Sequence, residues 1–146
     1  MSPDGRAIAV VLVKDGKQQI WVRALDALEP TALAGTDGAT NPFWSTDGRY
    51  IGFFADSKLK EIDRAEGPVQ TLCDAVGALG GTWNRNGDIL FGGLSRVQKI
   101  PGAGGAVTDL PQQAAVTEIY PFMLPDGRHY LAARRAAVDS TQGACG

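Results

Sequence analysis

The sequence predicts an all-β protein built from repeated antiparallel sheets, and three observations predict it. First, the 146 residues include 19 glycines and 8 prolines, which leave only short apolar runs between them. Second, one turn sequence recurs four times, and the glycines of its copies are separated by 43, 39 and 40 residues. Third, short apolar segments with the composition of strands flank every copy. A period of about 40 residues with four short strands per unit is typical of a β-propeller, in which four-stranded blades surround an axis.

The repeated turn has a residue pattern that its backbone explains. Its copies begin at Ser2, Ser45, Asn84 and Leu124. Proline fixes φ, aspartate or asparagine can bond back to the backbone, and glycine adopts the left-handed conformation without a steric cost. We therefore interpret the following turn residues as structural: Pro3, Asp4, Gly5, Asp47, Gly48, Asn86, Gly87, Pro125, Asp126 and Gly127.

Other positions keep the same period. Trp44 and Trp83 are 39 residues apart, and the segment 42–49 returns at 121–128. Helical repeats of similar length fit poorly, because glycine or proline interrupts each candidate helix. The predicted strands are 7–13, 19–24, 31–33, 39–44, 50–55, 58–63, 69–73, 80–83, 89–92, 96–100, 106–110, 119–123 and 129–133.

The predicted strands form about three and a half blades of four antiparallel strands. The partial propeller covers 1–138, with blades over 2–35, 39–74 and 79–111 and part of a fourth over 117–134, and a tail follows at 139–146. The first blade lacks its first strand, and the fourth ends after its second. Propellers have about four to eight blades, so we expect an open arc of a larger propeller, with a closed four-bladed ring as the alternative. Open strand edges can pair with another chain, so we expect the isolated chain to self-associate or to be poorly stable.

Charge and hydropathy exclude two classes of partner. The net charge is −2, from 14 basic and 16 acidic residues, and no basic stripe is present, so we expect no nucleic-acid partner. The longest apolar run, 7–13, is shorter than the about 20 residues of a membrane helix, and the N-terminus lacks a signal-peptide pattern. We expect no direct membrane contact from this chain, and the compartment stays open.

We find no catalytic, cofactor or metal constellation in the sequence, and we predict that the chain is not an enzyme. His129 is the single histidine and occupies the repeat position of Tyr50, which favours a strand residue over a general base. The turn aspartates lie in separate blades, which favours turn structure over metal binding. The glycine-rich segment 102–105 lacks the following Lys and Ser/Thr of a phosphate loop. Cys73 and Cys145 permit one disulfide, but Cys145 lies one residue from the chain end, which favours two free thiols.

Three arginines are the candidates for a binding face. Arg6, Arg49 and Arg128 follow their turns at equivalent positions, so they can form a ring of positive charge. Structural ion pairs or solvated side chains are the simpler interpretation. The three tryptophans, Trp21, Trp44 and Trp83, are interpreted as packing between blades.

Two sets of segments carry a resemblance to known families. The segment 42–49, Pro-Phe-Trp-Ser-Thr-Asp-Gly-Arg, followed by 50–54, resembles the WD40-like repeat of the TolB type of propeller. With 19–23 and 81–84, it is similar to the C-terminal propeller region of bacterial eukaryotic-like serine/threonine protein kinases. That resemblance implies a non-catalytic accessory or sensory domain, and no kinase motif is present in this chain.

The predicted function is a non-catalytic interaction or sensor module that needs no cofactor. Rigid blades would display their loops to a protein or peptide partner, to a small ligand, or to the rest of a parent propeller. Two alternatives stay open: an accessory propeller of a prolyl-oligopeptidase-type serine peptidase, and a periplasmic TolB-like binding protein.

Overall fold

The structure is a computed structural model, and it describes residues 1–92, 96–111, 117–126 and 128–135. Over these ranges the chain forms thirteen β-strands joined by turns, with no helix, as the predicted fold class requires. No helix in the described part of the chain could therefore cross a membrane. The predicted tail 139–146, Cys145 and Gly127 lie outside the described residues.

Four antiparallel sheets follow one another along the chain, and we number them as blades 1 to 4. Consecutive strands pair within each sheet, which is the meander of a propeller blade. Blade 1 contains β1 (Ala7–Lys14), β2 (Lys17–Ala24) and β3 (Thr31–Ala32); blade 2 contains β4 (Thr40–Trp44), β5 (Tyr50–Ala55), β6 (Lys58–Asp63) and β7 (Gln70–Asp74); blade 3 contains β8 (Gly81–Trp83), β9 (Asp88–Gly92), β10 (Val97–Pro101) and β11 (Thr108–Asp109); blade 4 contains β12 (Thr117–Met123) and β13 (Tyr130–Arg135).

The first strands of blades 2, 3 and 4 lie side by side, with β8 in contact with both β4 and β12. The last strands, β7 and β11, lie at the opposite edges of their sheets. Successive sheets are thus arranged around an axis near β4, β8 and β12, as in a propeller. The arc is open over the described residues, and its predicted partial character is confirmed.

Strand β1 is an open edge over the described residues, because none of their strands pairs with blade 1 on its inner side. The Leu25 N–H donates to the Arg6 carbonyl at 2.8 Å, and these two residues lie opposite each other just before β1 begins. Every second residue from Arg6 onward therefore bonds to β2 through its backbone, and these are the even-numbered residues of β1. The backbone groups of Ala9, Val11 and Val13 therefore point to the open edge, because bonding direction alternates along an antiparallel strand.

Among the described residues, two apolar cores lie between neighbouring blades. Strand β5 contributes to both, because successive side chains of a strand point to opposite faces. Ile51 and Phe53 point toward blade 1, whereas Phe54 points toward blade 3. The core between blades 1 and 2 is completed by Ile20, Leu33, Ala39, Ala55 and Ile62, and the core between blades 2 and 3 by Leu59, Ala75, Trp83, Ile89, Phe91 and Ile100.

The tryptophans differ in their surroundings. Trp44 packs between blades 1 and 2, and Trp83 packs between blades 2 and 3, as predicted. Trp21 pairs with Val10 on the face of blade 1 that points away from blade 2, so for Trp21 the predicted packing between blades is not found within the described chain. The Lys14 ammonium lies 5.3 Å from the centre of the Trp21 ring.

Candidate binding cleft

The repeated turn is held by a serine that the turn prediction overlooked. The buried Ser45 hydroxyl donates to Asp47 Oδ1 and accepts the Tyr50 N–H at 2.9 Å. Asp47 Oδ1 also accepts the Arg49 N–H at 3.0 Å. Gly48 closes the turn with a φ of 70°, where a side chain would be strained. The hydroxyl and amide bonds to the Asp47 carboxylate lower its pKa below the ordinary value.

Blade 1 has the same network. Ser2 donates to Asp4, and its hydroxyl accepts the Ala7 N–H at 2.9 Å. Gly5 has a φ of 69°. The pKa of Asp4 is lowered by the same two kinds of bond, first from the Ser2 hydroxyl and then from the Arg6 N–H.

The turn of blade 3 is one residue shorter, which the sequence pattern did not predict. Asn84 Oδ1 accepts both the Asn86 and the Asp88 N–H at 2.9 Å, so one amide side chain makes the bonds that serine and aspartate share in blade 2. The Asn84 N–H donates to the Asp88 carbonyl at 2.8 Å. The Ser45 N–H donates to the Tyr50 carbonyl, which is one residue farther along the chain from its donor. Asp88 is therefore the counterpart of Tyr50, and Gly87 keeps the left-handed φ of 86°.

The turn of blade 4 begins with Leu124, which has no polar side-chain atom. Here Asp126 Oδ1 accepts the Arg128 and His129 N–H groups, and its other oxygen meets His129 Nδ1. These bonds, first among them the one from the His129 ring, hold the pKa of Asp126 well below its usual range. His129 lies at the position of Tyr50, since its carbonyl accepts the Leu124 N–H at 2.9 Å. Pro3 and Pro125 are exposed in their turns.

The three candidate arginines lie beside three different turns. Arg49 Nε lies 3.1 Å from Asp63 Oδ2, and the guanidinium carbon lies 5.0 Å from the centre of the Tyr50 ring. The Asp63 carboxylate raises the pKa of Arg49, and the pKa of Asp63 is lowered by the Ala65 N–H and by Arg49. Arg6 and Arg128 are exposed, and Arg6 and Arg49 line two different pockets.

A cleft of about 790 Å³ opens between blades 2 and 3 on the face that carries the repeated turns. Residues 45–47 and 85–88 form two of its sides, and the turn 101–103 forms a third. The side chains of Tyr50, Glu61, Gln70 and Trp83 complete the lining. The volume lies within the range of about 300–1,000 Å³ that is typical of ligand sites.

Aromatic rings form the wall of the cleft. The Tyr50 and Trp83 ring centres are 6.5 Å apart, and the ring planes are inclined by 22°. Trp83 is buried and packs on Phe43, with ring centres 6.0 Å apart. A Cβ atom on Gly52 would lie only 2.3 Å from the Phe43 ring, and one on Gly81 only 2.6 Å, so these two glycines make room for the ring that supports the wall.

Glu61 is the unusual residue of the cleft. It lies in the middle of β6, between Gly52 of β5 and Gln70 of β7, and it is 7% exposed. Burial raises the pKa of its carboxyl group. Within the described ranges, no hydrogen bond or ion pair reaches the carboxylate. The equivalent position is occupied by Val22 in blade 1 and by Lys99 in blade 3, so the fold does not itself require an acidic residue there.

The charged groups that line the cleft are unequal in sign. Three are carboxylates, of Asp47, Glu61 and Asp88, and one is the guanidinium of Arg85. Asp88 has a distant cation, since Lys99 Nζ lies 3.9 Å from its Oδ2 atom. Across the described residues, no group of three or more His, Cys, Asp or Glu side chains is placed to hold a metal ion.

Comparison with known proteins gives the fold class. No family model and no curated protein matches the sequence. Solved structures do match. A TolB-like protein from Agrobacterium tumefaciens is 19% identical with a TM-score of 0.83, and the match covers 94% of this chain and 53% of that one. A nidogen/laminin complex is 12% identical with a TM-score of 0.74, covering 88% of this chain and 52% of the other.

The β-propeller domain of the Trilobed protease from Pyrococcus furiosus is a further match. It is 15% identical with a TM-score of 0.61, and the match covers 91% of this chain and 53% of that domain. The chain thus spans about half the length of each of the three structures. At these identities the likeness shows the fold alone: the chain is part of a β-propeller, with TolB-type and WD40-like propellers among its neighbours.

Proposed function

We propose that the chain is a non-catalytic module that binds a protein or peptide partner on the face that carries the repeated turns. The observation that carries this proposal is the cleft between blades 2 and 3, which is lined by aromatic rings and by the carboxylate of Glu61, a largely buried residue without a partner among the described residues. Rigid strands fix both sides of this cleft, so a partner meets a surface that is already ordered. Among the similar folds are a TolB-like protein and a nidogen/laminin complex, which supports a protein partner.

The finer proposal is an accessory or sensory region of a bacterial serine/threonine kinase-like protein. Its support is the sequence resemblance of 19–23, 42–49 and 81–84. The accessory propeller of a peptidase is the second candidate, and the similarity to the propeller domain of the Trilobed protease favours it. The coding sequence on either side distinguishes the two: a kinase domain upstream supports the first, and a nucleophile elbow downstream supports the second.

An array of random dodecamer peptides, probed with the folded chain, tests the binding function. Ala103 is exposed on the rim of the cleft, and Ala65 is exposed on the equivalent turn of blade 2. We expect Ala103→Trp to fill the cleft and to weaken peptide binding by about tenfold or more, and Ala65→Trp to leave it unchanged. Equal effects of the two variants, or no bound peptide at all, would contradict the proposal.

A further inference from the structure

Glu61 is a largely buried residue whose carboxylate opens into the cleft, and a general binding function leaves it unexplained. Burial of a charged group without a partner costs free energy, and blade 1 avoids that cost with Val22 at the same register. The Glu61 side chain lines an open cleft rather than a closed core. A costly polar group at the wall of a cleft is a candidate ligand-binding group.

We propose that Glu61 is the anionic anchor of the cleft, and that it binds the guanidinium group of an arginine side chain on a partner peptide. This inference rests on the proposed binding function and names the chemistry that its cleft recognises. The arginine would enter between the turns of blades 2 and 3, and its guanidinium would meet the Glu61 carboxylate beside the Tyr50 and Trp83 rings.

The sign of the charge around the cleft supports a cationic ligand. Asp47 stays ionised, because the Ser45 hydroxyl and the Arg49 N–H stabilise its carboxylate. Asp88 adds a second carboxylate on the opposite side. An acidic ligand would therefore be repelled, whereas a cation gains attraction in a partly desolvated site.

The molecule already holds one guanidinium group in the same way. Arg49 lies over the Tyr50 ring at 5.0 Å and pairs with the Asp63 carboxylate at 3.1 Å. A planar guanidinium group can stack on an aromatic ring and pair with a carboxylate at the same time, which an ammonium group does less well. The cleft offers both partners again, with Glu61 as the carboxylate, so arginine fits it better than lysine.

Arg49 lines a neighbouring pocket together with Glu61 but is paired with Asp63, which makes Arg85 the internal competitor for this site. Arg85 is exposed on the rim, and no ion pair holds it within the described residues. Its removal should leave the carboxylate available to an added arginine. Arg85→Gln is therefore expected to bind an arginine peptide at least as tightly as the wild-type chain does.

Isothermal titration of the full chain tests the inference. The probes are acetyl-Gly-Arg-Gly-amide and the same peptide with citrulline, which has the shape of arginine without its charge. We expect the citrulline peptide to bind about tenfold more weakly or not at all, and Glu61→Gln to weaken the arginine peptide by about tenfold or more. Glu29→Gln, which removes an exposed carboxylate from blade 1, is the matched control and should bind as the wild type does.

The outcomes separate this inference from the function on which it rests. Equal affinity for the arginine and citrulline peptides overturns the arginine site, and this comparison needs no variant. Equal affinity of the wild type and Glu61→Gln overturns it as well. Dodecamers that bind without a preference for arginine keep the binding module and remove only the arginine site, whereas an array without any bound peptide removes both.

Discussion

Blades 2 and 3 have the same meander of strands, yet they differ in chemistry at two equivalent positions. In blade 2 the positions next to the turn carry Tyr50 and Glu61, whereas in blade 3 the counterparts are Asp88 and Lys99, which approach each other to 3.9 Å. In both blades the flanking positions are buried and apolar, as at Ile51 and Ile89. The comparison teaches that the core positions fix the blade, while the positions beside the turn are free to acquire a binding role.

The largest effect is expected at Gly52, whose counterpart in blade 3 is Leu90. Gly52→Ala places a Cβ atom 2.3 Å from the Phe43 ring, which also lies close to Gly81. We expect the free energy of unfolding to fall by about 1–3 kcal/mol. Denaturant unfolding measures it, and adding Phe43→Leu should restore part of the loss. An unchanged midpoint would show that blade 2 tolerates a side chain here, as blade 3 does.

The next effect is expected at the first residue of the turn. Ser45→Ala removes the acceptor of the Tyr50 N–H and the donor to Asp47, so we expect a loss of about 1–2 kcal/mol in stability. Thr46→Ala, at the exposed neighbouring position, should change stability by less than about 0.5 kcal/mol. Equal thermal midpoints for the two variants would contradict the role of the serine.

Glu61→Gln should stabilise the fold at neutral pH. Burial raises the pKa of Glu61 above its ordinary value of 4.5, so the folded state disfavours the ionised carboxyl group. The penalty is present above the raised pKa and disappears as the pH falls below the ordinary one. We expect Glu61→Gln to raise the thermal midpoint at about pH 7 and to leave it nearly unchanged at about pH 4.

Thermal unfolding of Glu61→Gln and of the control Glu29→Gln at both pH values measures this difference. A loss of stability at neutral pH would mean that Glu61 has a structural partner, and Arg85 would be the first one to examine. A gain in stability together with a loss of binding is the pattern expected of a residue retained for function.

The smallest effect is expected at the ion pair that stacks on Tyr50. Arg49 is exposed, so solvent screens its attraction to Asp63. We expect Arg49→Gln to lower the thermal midpoint only slightly, and the change to vanish at high salt. A larger, salt-independent loss would show that stacking on the ring, rather than the ion pair, stabilises the turn.

The sequence was sufficient to predict the blades, because each turn repeats its residue types at a nearly constant interval. The shorter turn of blade 3 was missed, because the spacing between Gly48 and Gly87 matches the repeat. The residue that blade 3 lacks would lie after the glycine of the turn. Glu61 was missed for a different reason. A charged residue in the segment 58–63 normally faces water, but blade 2 has neighbours on both faces, and their packing cannot be inferred from a strand's own period. The sequence did contain one signal of a buried position, since the equivalent residue of blade 1 is the apolar Val22.

Strand β5 contributes side chains to both cores, and this has a consequence for how the chain opens. In an array of stacked units each unit depends on its neighbours, so units at the ends open more often than those inside. Amide protons of blade 1 and blade 4 should then exchange with deuterated solvent through local opening, whereas those of Ile51 and Phe53 should exchange only when the whole array unfolds.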